Sequence, residues 1–583
     1  NKDNINNYVK IIGNIFLDLN IWKGISARTQ FGLDYGNAYN RAVDGVWSET
    51  GGRNSDGENY VGSYQSHPLS YVWTNTLSYT LSTGKHNLDV VLGTEATIFV
   101  QEGFSARREG IYLEDRDFAH IGVTTGEKYN LGSSADEYTY FSLFGKANYV
   151  YNGKYLLSAT VRRDGSSLFG ENNRYATFPA FSVGWRIKDE AFMEDFDFLS
   201  DLKLRASWGA NGSVQGLPRG YTTTPFTTDY FGTSYPIQGN ESGPLYSGYK
   251  RTWLGNPDLK WETSEQLDLG MDLRAFNDRF SFGMDWYQKK TKDLIVSNIV
   301  IPYEAGNSSA PMNAGNVTNK GFEFEAGWKD KAGDFNYSVT ANLATLKNEV
   351  TYLDPHVSGG RIEGATTMAS NGSFSAFEVG YPVWYFRGYQ VDHLDDKGNP
   401  VFRDNTGDGT IDASDKAMIG KPMPDFTYGI TLTANYKNFD FLIFGNGSVG
   451  NDVFMSYSYN SISYTLKEMY DQRWTADGTT SRKFARPQNT NADKYGLSDA
   501  YIFDGSYFRI KQIQLGYTLP RTVTKKFLAD KLRVYASLDN FFLFTKYPGL
   551  DPEVSSTATS GMGVDYGNYP TTKKVVFGLS VTF

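Results

Sequence analysis

DFTYGITLTANY, residues 425–436, alternates without a break. One face carries Phe426, Tyr428, Ile430, Leu432, Ala434 and Tyr436; the other carries Thr427, Gly429, Thr431, Thr433 and Asn435. Successive side chains of a strand point to opposite faces, so this period of two predicts a strand with one apolar and one fully polar side. In 25–35 the split is Ile25, Ala27, Thr29, Phe31, Leu33 and Tyr35 against Ser26, Arg28, Gln30, Gly32 and Asp34. The pattern recurs at 88–100, 155–162, 202–208, 267–273, 322–328, 335–343, 532–539 and 575–583. Strands of about 9–11 residues with a polar second face fit a membrane barrel with a wet interior. Strands of a soluble sandwich usually run about 5–6 residues.

Composition agrees. The 583 residues include 60 Gly, 41 Tyr and 39 Phe, and no Cys. Mean hydropathy is −0.45, and no apolar run approaches the ~18–20 residues of a membrane helix. Barrel strands average out as hydrophilic, so that value is compatible with membrane crossing. A net charge of −9 argues against a nucleic-acid partner, which needs a basic face. Without cysteine there is neither a disulfide framework nor thiol chemistry. NKDNINNYVK (1–10) has no apolar core and is not a signal peptide.

The connections alternate in length. Short turns fall at 22–24, 82–86, 152–154, 277–279, 331–334 and 437–440; long excursions cover 36–69, 101–137, 213–257, 295–316, 347–424, 451–505 and 546–570. Tight periplasmic turns and long extracellular loops are the signature of an outer-membrane barrel. Aromatics crowd the short turns: Trp22, Tyr149, Tyr151, Tyr155, Phe276, Phe280, Trp328, Phe335, Tyr436 and Phe439. Such rings suit an interfacial girdle. The expected fold class is therefore all-β: an antiparallel transmembrane β-barrel over residues 1–583. It would have about 17 strands, an odd number that makes the chain look truncated.

Segments spread over nearly the whole chain resemble the SusC/RagA-like family of TonB-dependent outer-membrane transporters. They are RRDGSSLFGENNRYATFPAFSVGW (162–185), NPDLKWET (256–263), GNVTNKGFEFE (315–325), IGKPMPDFTYGI (419–430), RWTADG (473–478), SYFRIKQIQLGYTLP (506–520) and KYPGLDPE (546–553). The last strand, KKVVFGLSVTF, closes on Phe583. The resemblance implies a barrel of about 22 strands in the outer membrane of a Gram-negative cell, of which this chain is the C-terminal portion. The family's plug domain and first strands have no counterpart in it. The resemblance also implies energised import of oligosaccharides or peptides, with a SusD-like surface lipoprotein as lid and the TonB complex as partner. The alternative is a passive porin or surface adhesin on the same barrel.

DNTGDGTIDASD (404–415) matches a calcium loop. Asp404, Thr406, Asp408, Thr410, Asp412 and Asp415 take positions 1, 3, 5, 7, 9 and 12, with Gly409 at the sharp turn of position 6. Its flanks lack helices, so the expectation is a static structural Ca2+ clip in the extracellular loop 347–424. Other chemistry is sparse. The five His show no ligand spacing, and no nucleophile elbow, phosphate loop or dinucleotide fingerprint appears, so an enzyme is not expected. Glu323 and Glu325 are expected as neighbours on a wet strand face. Ile462, Leu466, Met469, Tyr470 and Trp474 follow a helical period. The aromatics of VWYFRGYQ (383–390) and SYSYNSISY (456–464) could stack on sugars, grip peptides, pack loop on loop or dock a protein. The substrate is not legible.

Overall fold

The computed structural model describes residues 2–45, 47–48, 55–56, 59–112, 117–127, 129–214, 217, 219–228, 233–234, 248–300, 309–366, 372–456, 467–478, 483–486, 491–553 and 559–583. Among them, eighteen strands carry the long ladders. They are β1 (Lys2–Trp22), β2 (Ile25–Asp44), β3 (Tyr60–Thr83), β4 (His86–Glu109), β5 (Tyr129–Tyr151), β6 (Tyr155–Ser166), β7 (Tyr175–Arg186), β8 (Leu199–Ser213) and β9 (Glu262–Ala275). There follow β10 (Phe280–Val300), β11 (Ser309–Ala332), β12 (Phe335–Thr345), β13 (Lys347–Leu353), β14 (Phe426–Tyr436), β15 (Phe439–Val449), β16 (Tyr507–Thr518), β17 (Lys531–Thr545) and β18 (Lys574–Thr582). β12 and β13 are one run interrupted at Leu346, which leaves the expected seventeen passes. No helix among the described residues is long and apolar enough to cross a membrane.

The chain divides into two compact units. The first holds 1–181, 209–261 and 301–312. Its β1 to β6 pair in sequence order, each antiparallel to the next. The registers set Leu19, Ala27, Leu77, Leu92, Gly145 and Val161 in one row across six strands. The adjacent row, on the other face, is Asp18, Arg28, Thr76, Gly93, Phe144 and Arg162.

The second unit holds 182–208, 262–300 and 313–583. Here the opening stretch is β14, paired with β12 on one side and β15 on the other. Following its Leu432 outward gives Trp328, Val339, Leu432, Ile443, Ile513, Leu538 and Val575, seven apolar residues on seven strands. The neighbouring row through Thr431 reads Gly327, Thr340, Thr431, Phe444, Gln512, Asp539 and Lys574. Glu323 and Glu325 lie on that polar face, as expected. The apolar face is open: Ile430, Leu515, Val534, Phe577 and Leu579 are all exposed. So wide an uncovered apolar surface is untenable in water and natural in lipid.

The strands outrun the expectation. β3 and β4 have 24 residues each, about 80 Å at strand rise, against an apolar band of about 25 Å. Within the excursions expected over 36–69 and 101–137, residues 36–44, 60–69, 101–109 and 129–137 are therefore strand. Backbone pairing does not require alternation, so the ladder continues where the apolar face has ended. The short turns lie where expected.

Candidate functional site

At the end of the second unit away from its short turns, the long connections fold on one another. From 347–424 come two small sheets, Arg361–Glu363 with Ser375–Glu378, Tyr385–Gly388 and Ala417–Gly420, and Val391–Leu394 with Pro400–Phe402. Asp452–Met455 pairs antiparallel with Ile502–Asp504 and parallel with Val564–Asp565, so the excursions 451–505 and 546–570 share one sheet. Phe374, Phe386, Tyr389, Phe402, Phe454, Met469, Phe484, Tyr495, Leu497, Tyr501 and Val564 make its core, with the Phe374 and Phe454 rings stacked at 4.0 Å. VWYFRGYQ is thereby decided: Tyr385, Phe386 and Tyr389 are buried and serve loop-on-loop packing. Of the expected helix, Lys467–Asp471 is helical with Met469 buried. Ile462, Leu466 and residues 457–464 of SYSYNSISY lie outside the described residues.

Two stretches that sequence reading kept apart meet here. The 546–553 stretch turns back over the polar face of β16, where Arg509 Nη2 donates to Asp551 Oδ1 at 2.5 Å and Arg509 Nε lies 3.0 Å from Glu553 Oε2. Lys511 pairs with the other Glu553 oxygen. Arg509 and Asp551 are almost wholly buried, so each needs the other: an unpaired charge there would cost several kcal/mol (about 3–5). Asp551 also accepts from the N–H of Thr571 at 2.9 Å. Despite its burial, these hydrogen bonds hold its carboxyl below the usual range.

The loop 404–415 sits on this head. Gly409 turns at φ 82°, as position 6 requires, and its N–H donates to Asp404 Oδ2 at 2.8 Å. Asp404 Oδ1 accepts from the N–H of Gly407 at 2.6 Å. Asp408 accepts from the N–H of Thr410, and Asp412 from the N–H of Ser414, both at 2.8 Å. Asp415 is fully buried. Its Oδ2 accepts from the N–H of Asp412 at 2.8 Å, while its Oδ1 accepts from Asn405 and Thr406 N–H groups and the Thr406 hydroxyl. The Asp412 N–H leads in depressing the Asp415 carboxyl below its ordinary value. Two cations pin the loop from outside: Arg387 donates to Ala413 O at 2.9 Å and Lys494 to Ile411 O at 2.6 Å. Among the described residues no three acidic or histidine side chains converge as a metal cluster. The loop thus has the turn of a calcium loop, with carboxylates spent on backbone N–H groups.

On the strand faces below, charge is paired along the polar side. Arg205 donates to Asp285 at 2.5 Å and to Asp272 at 3.1 Å. Arg533 reaches across β16 to Asp440, its Nε 2.9 Å from Oδ2. Gly516 lies beneath that bridge, and a Cβ there would fall on both partners.

Apolar rows facing out, polar rows facing in and a built head at one end describe a membrane barrel wall. Residues 13–541 match the family described as TonB dependent receptor-like, beta-barrel. The chain belongs to that family. It is 32% identical over 543 residues to TonB-dependent receptor P3 of Formosa agariphila, covering 87% of this chain and 52% of that protein. It is 32% identical over 550 residues to TonB-dependent receptor SusC of Bacteroides thetaiotaomicron, covering 91% and 52%. The chain therefore spans about half the length of these relatives. The fold of the RagAB peptide transporter covers all of this chain and 62% of its own, with a TM-score of 0.84 at 24% identity. The family consists of transporters and receptors of the outer membrane, and this barrel's place is there. Its polar rows line the lumen and its apolar rows meet lipid.

Proposed function

We propose that this barrel serves TonB-dependent active import of oligosaccharides or peptides, working with a SusD-like surface lipoprotein that closes over its extracellular head. The observation that carries this reading is the head: two long excursions share a sheet and a third joins them in one aromatic core, which makes a platform for a lid. The names of similar proteins support the reading, TonB-dependent receptor SusC for the energy coupling and the RagAB peptide transporter for a peptide cargo. Polar, ion-paired lumen walls suit a hydrated solute. The family is one of transporters and receptors, which supports transport over catalysis. The test is uptake of labelled oligosaccharides and labelled peptides by cells with and without this gene. Each measurement is repeated with TonB deleted and with the proton-motive force collapsed. Uptake of one class that vanishes in all three backgrounds supports the proposal. Uptake that survives loss of TonB favours the passive porin, and none in any background the adhesin.

Calcium belongs to the same proposal. Asp404, Asp408 and Asp415 would supply carboxylates, Thr410 its carbonyl, and Thr406 and Asp412 side-chain or water-mediated contacts; extracellular sites of this kind bind at about 10⁻⁴–10⁻³ M. The Gly409 turn supports it. Bound, the ion would supply only charge neutralisation to an acidic loop. Limited proteolysis of 347–424 with chelator, with excess calcium and in Asp404→Ala tests it: identical patterns with and without calcium would leave a self-sufficient hydrogen-bonded turn.

A further inference from the structure

The connection between β7 and β8, IKDEAFMEDFDF (187–198), appeared in neither the short turns nor the long excursions. It forms two 3-10 turns, Ile187–Asp189 and Ala191–Met193. Lys188 Nζ locks it by donating to Met193 O at 2.9 Å and Phe196 O at 3.1 Å. Its inner side packs Met193, Ile187 and Leu199 against Ala275, Leu273, Leu202 and Phe280. Those partners are on the lipid side of the wall. Arg205 and Asp272 meet on the lumen face, so residues one or three positions away, Leu202 and Leu273, face the other way. The segment therefore lies outside the barrel wall, at the end of the short turns.

Its outer side is apolar too. Phe192, Phe196 and Phe198 are 63%, 44% and 50% exposed. They do not stand alone. Phe196 contacts Phe198, Phe198 contacts Phe276, and Phe276 contacts Trp328, with ring centroids 6.1–6.3 Å apart. Trp328 belongs to the lipid-facing row already traced, so Phe196 and Phe198 continue the interfacial belt onto a segment that is not a strand, while Phe192 meets the exposed Trp185 of β7 edge-on at 6.5 Å. Asp189, Glu194, Asp195 and Asp197 are exposed between them. Apolar rings on one side and carboxylates between them make an element that lies in a membrane interface.

We propose that 187–198 is an interfacial foot, its phenyl rings seated at the headgroup–acyl boundary of the phospholipid leaflet that surrounds the short turns. The occupant is lipid because the patch is continuous with the lipid-facing belt. The inference rests on the membrane reading of the strand faces, and its test separates the two.

The 583 residues contain no Cys, so single cysteines can be placed for spin labels. Phe192→Cys, Phe196→Cys, Asp195→Cys and Ile430→Cys are made in the full-length polypeptide, with any cysteine elsewhere replaced by serine. Each is reconstituted in phosphatidylcholine vesicles. Collision of the label with oxygen, which enriches in lipid, is compared with collision with a water-soluble nickel complex. The oxygen-to-nickel ratio at 192 and 196 should exceed that at Asp195 by about threefold or more and fall below that at Ile430, in the apolar band. Labels at 192 and 196 as nickel-accessible as Asp195 would overturn the foot. So would labels shielded from both reagents, which would mean a protein partner. A water-exposed label at Ile430 would instead overturn the membrane reading itself.

Discussion

Phe577 is 81% exposed and Phe454 fully buried, although both sit on strands of the same unit. On β18 the ring projects from an apolar row with no protein over it. In the head, Phe454 stacks on Phe374 beneath three excursions. The wall and the head use the same side chains under opposite rules, because they face different solvents. Where lipid takes up the apolar face, the chain needs no second layer and the polar face can be left to water. Where the chain leaves the bilayer, it must bury its own rings, and it recruits segments nearly two hundred residues apart, such as Phe374 and Val564, to do so. The difference teaches that an exposed aromatic in one region and a buried one in the other are equally well placed.

The largest expected effect lies in the head. Phe454→Ala removes a fully buried ring and should cost about 3–5 kcal/mol. The excursions 347–424 and 451–505 should become protease-sensitive while the barrel stays resistant to SDS at room temperature. A barrel that loses its heat-modifiability together with the head would show that the two regions do not fold separately. Between them comes Gly516→Ala on the lumen wall. Its methyl group displaces the Arg533–Asp440 bridge, at a cost of about 1–3 kcal/mol, with the head's protease pattern unchanged. A thermal midpoint equal to wild type would mean that the bridge has room to move.

Smaller still is Asp404→Ala, which deletes the acceptor for two backbone N–H groups and should cost about 1–2 kcal/mol, confined to the loop. Acid does the same at Asp415. Its carboxyl is depressed in the fold, so its stabilisation is complete above the ordinary value of about 4 and is lost as pH falls through the depressed one. Proteolysis at 404–415 with an acid-tolerant protease should thus be flat above about pH 5 and rise only below about pH 4. A rise near pH 6 would point to another group.

The wall was legible and the head was not, for the same physical reason. Alternation is local: Leu432 and Thr431 declare their faces within twelve residues, and the registers of β12 to β18 follow that assignment strand by strand. The upper halves of β3 and β4 were lost because hydrogen bonding continues there without an apolar face to mark it. The small sheets of the head show no such period. Tyr385 and Phe386 are adjacent and both buried, which neither a strand facing lipid nor a surface helix allows. The pairing of Arg509 with Asp551 needed the 546–553 stretch to double back, and no spacing signals that. In 404–415 the turn at Gly409 was readable, whereas the donors that occupy Asp415, three backbone N–H groups and the Thr406 hydroxyl of its own loop, are visible only in the fold.

The claim on which the rest depends is that adjacent residues of β14 face different solvents. Leu432→Arg and Thr431→Arg test it most directly, with folded yield in outer-membrane fractions read by heat-modifiability. Arginine at 432 should cost about 2–4 kcal/mol near the middle of the bilayer and far less at 431, in the wet lumen. Most of the Thr431→Arg protein should therefore migrate as the folded form, and Leu432→Arg should be depleted. Equal yields, or the reverse order, would contradict the account.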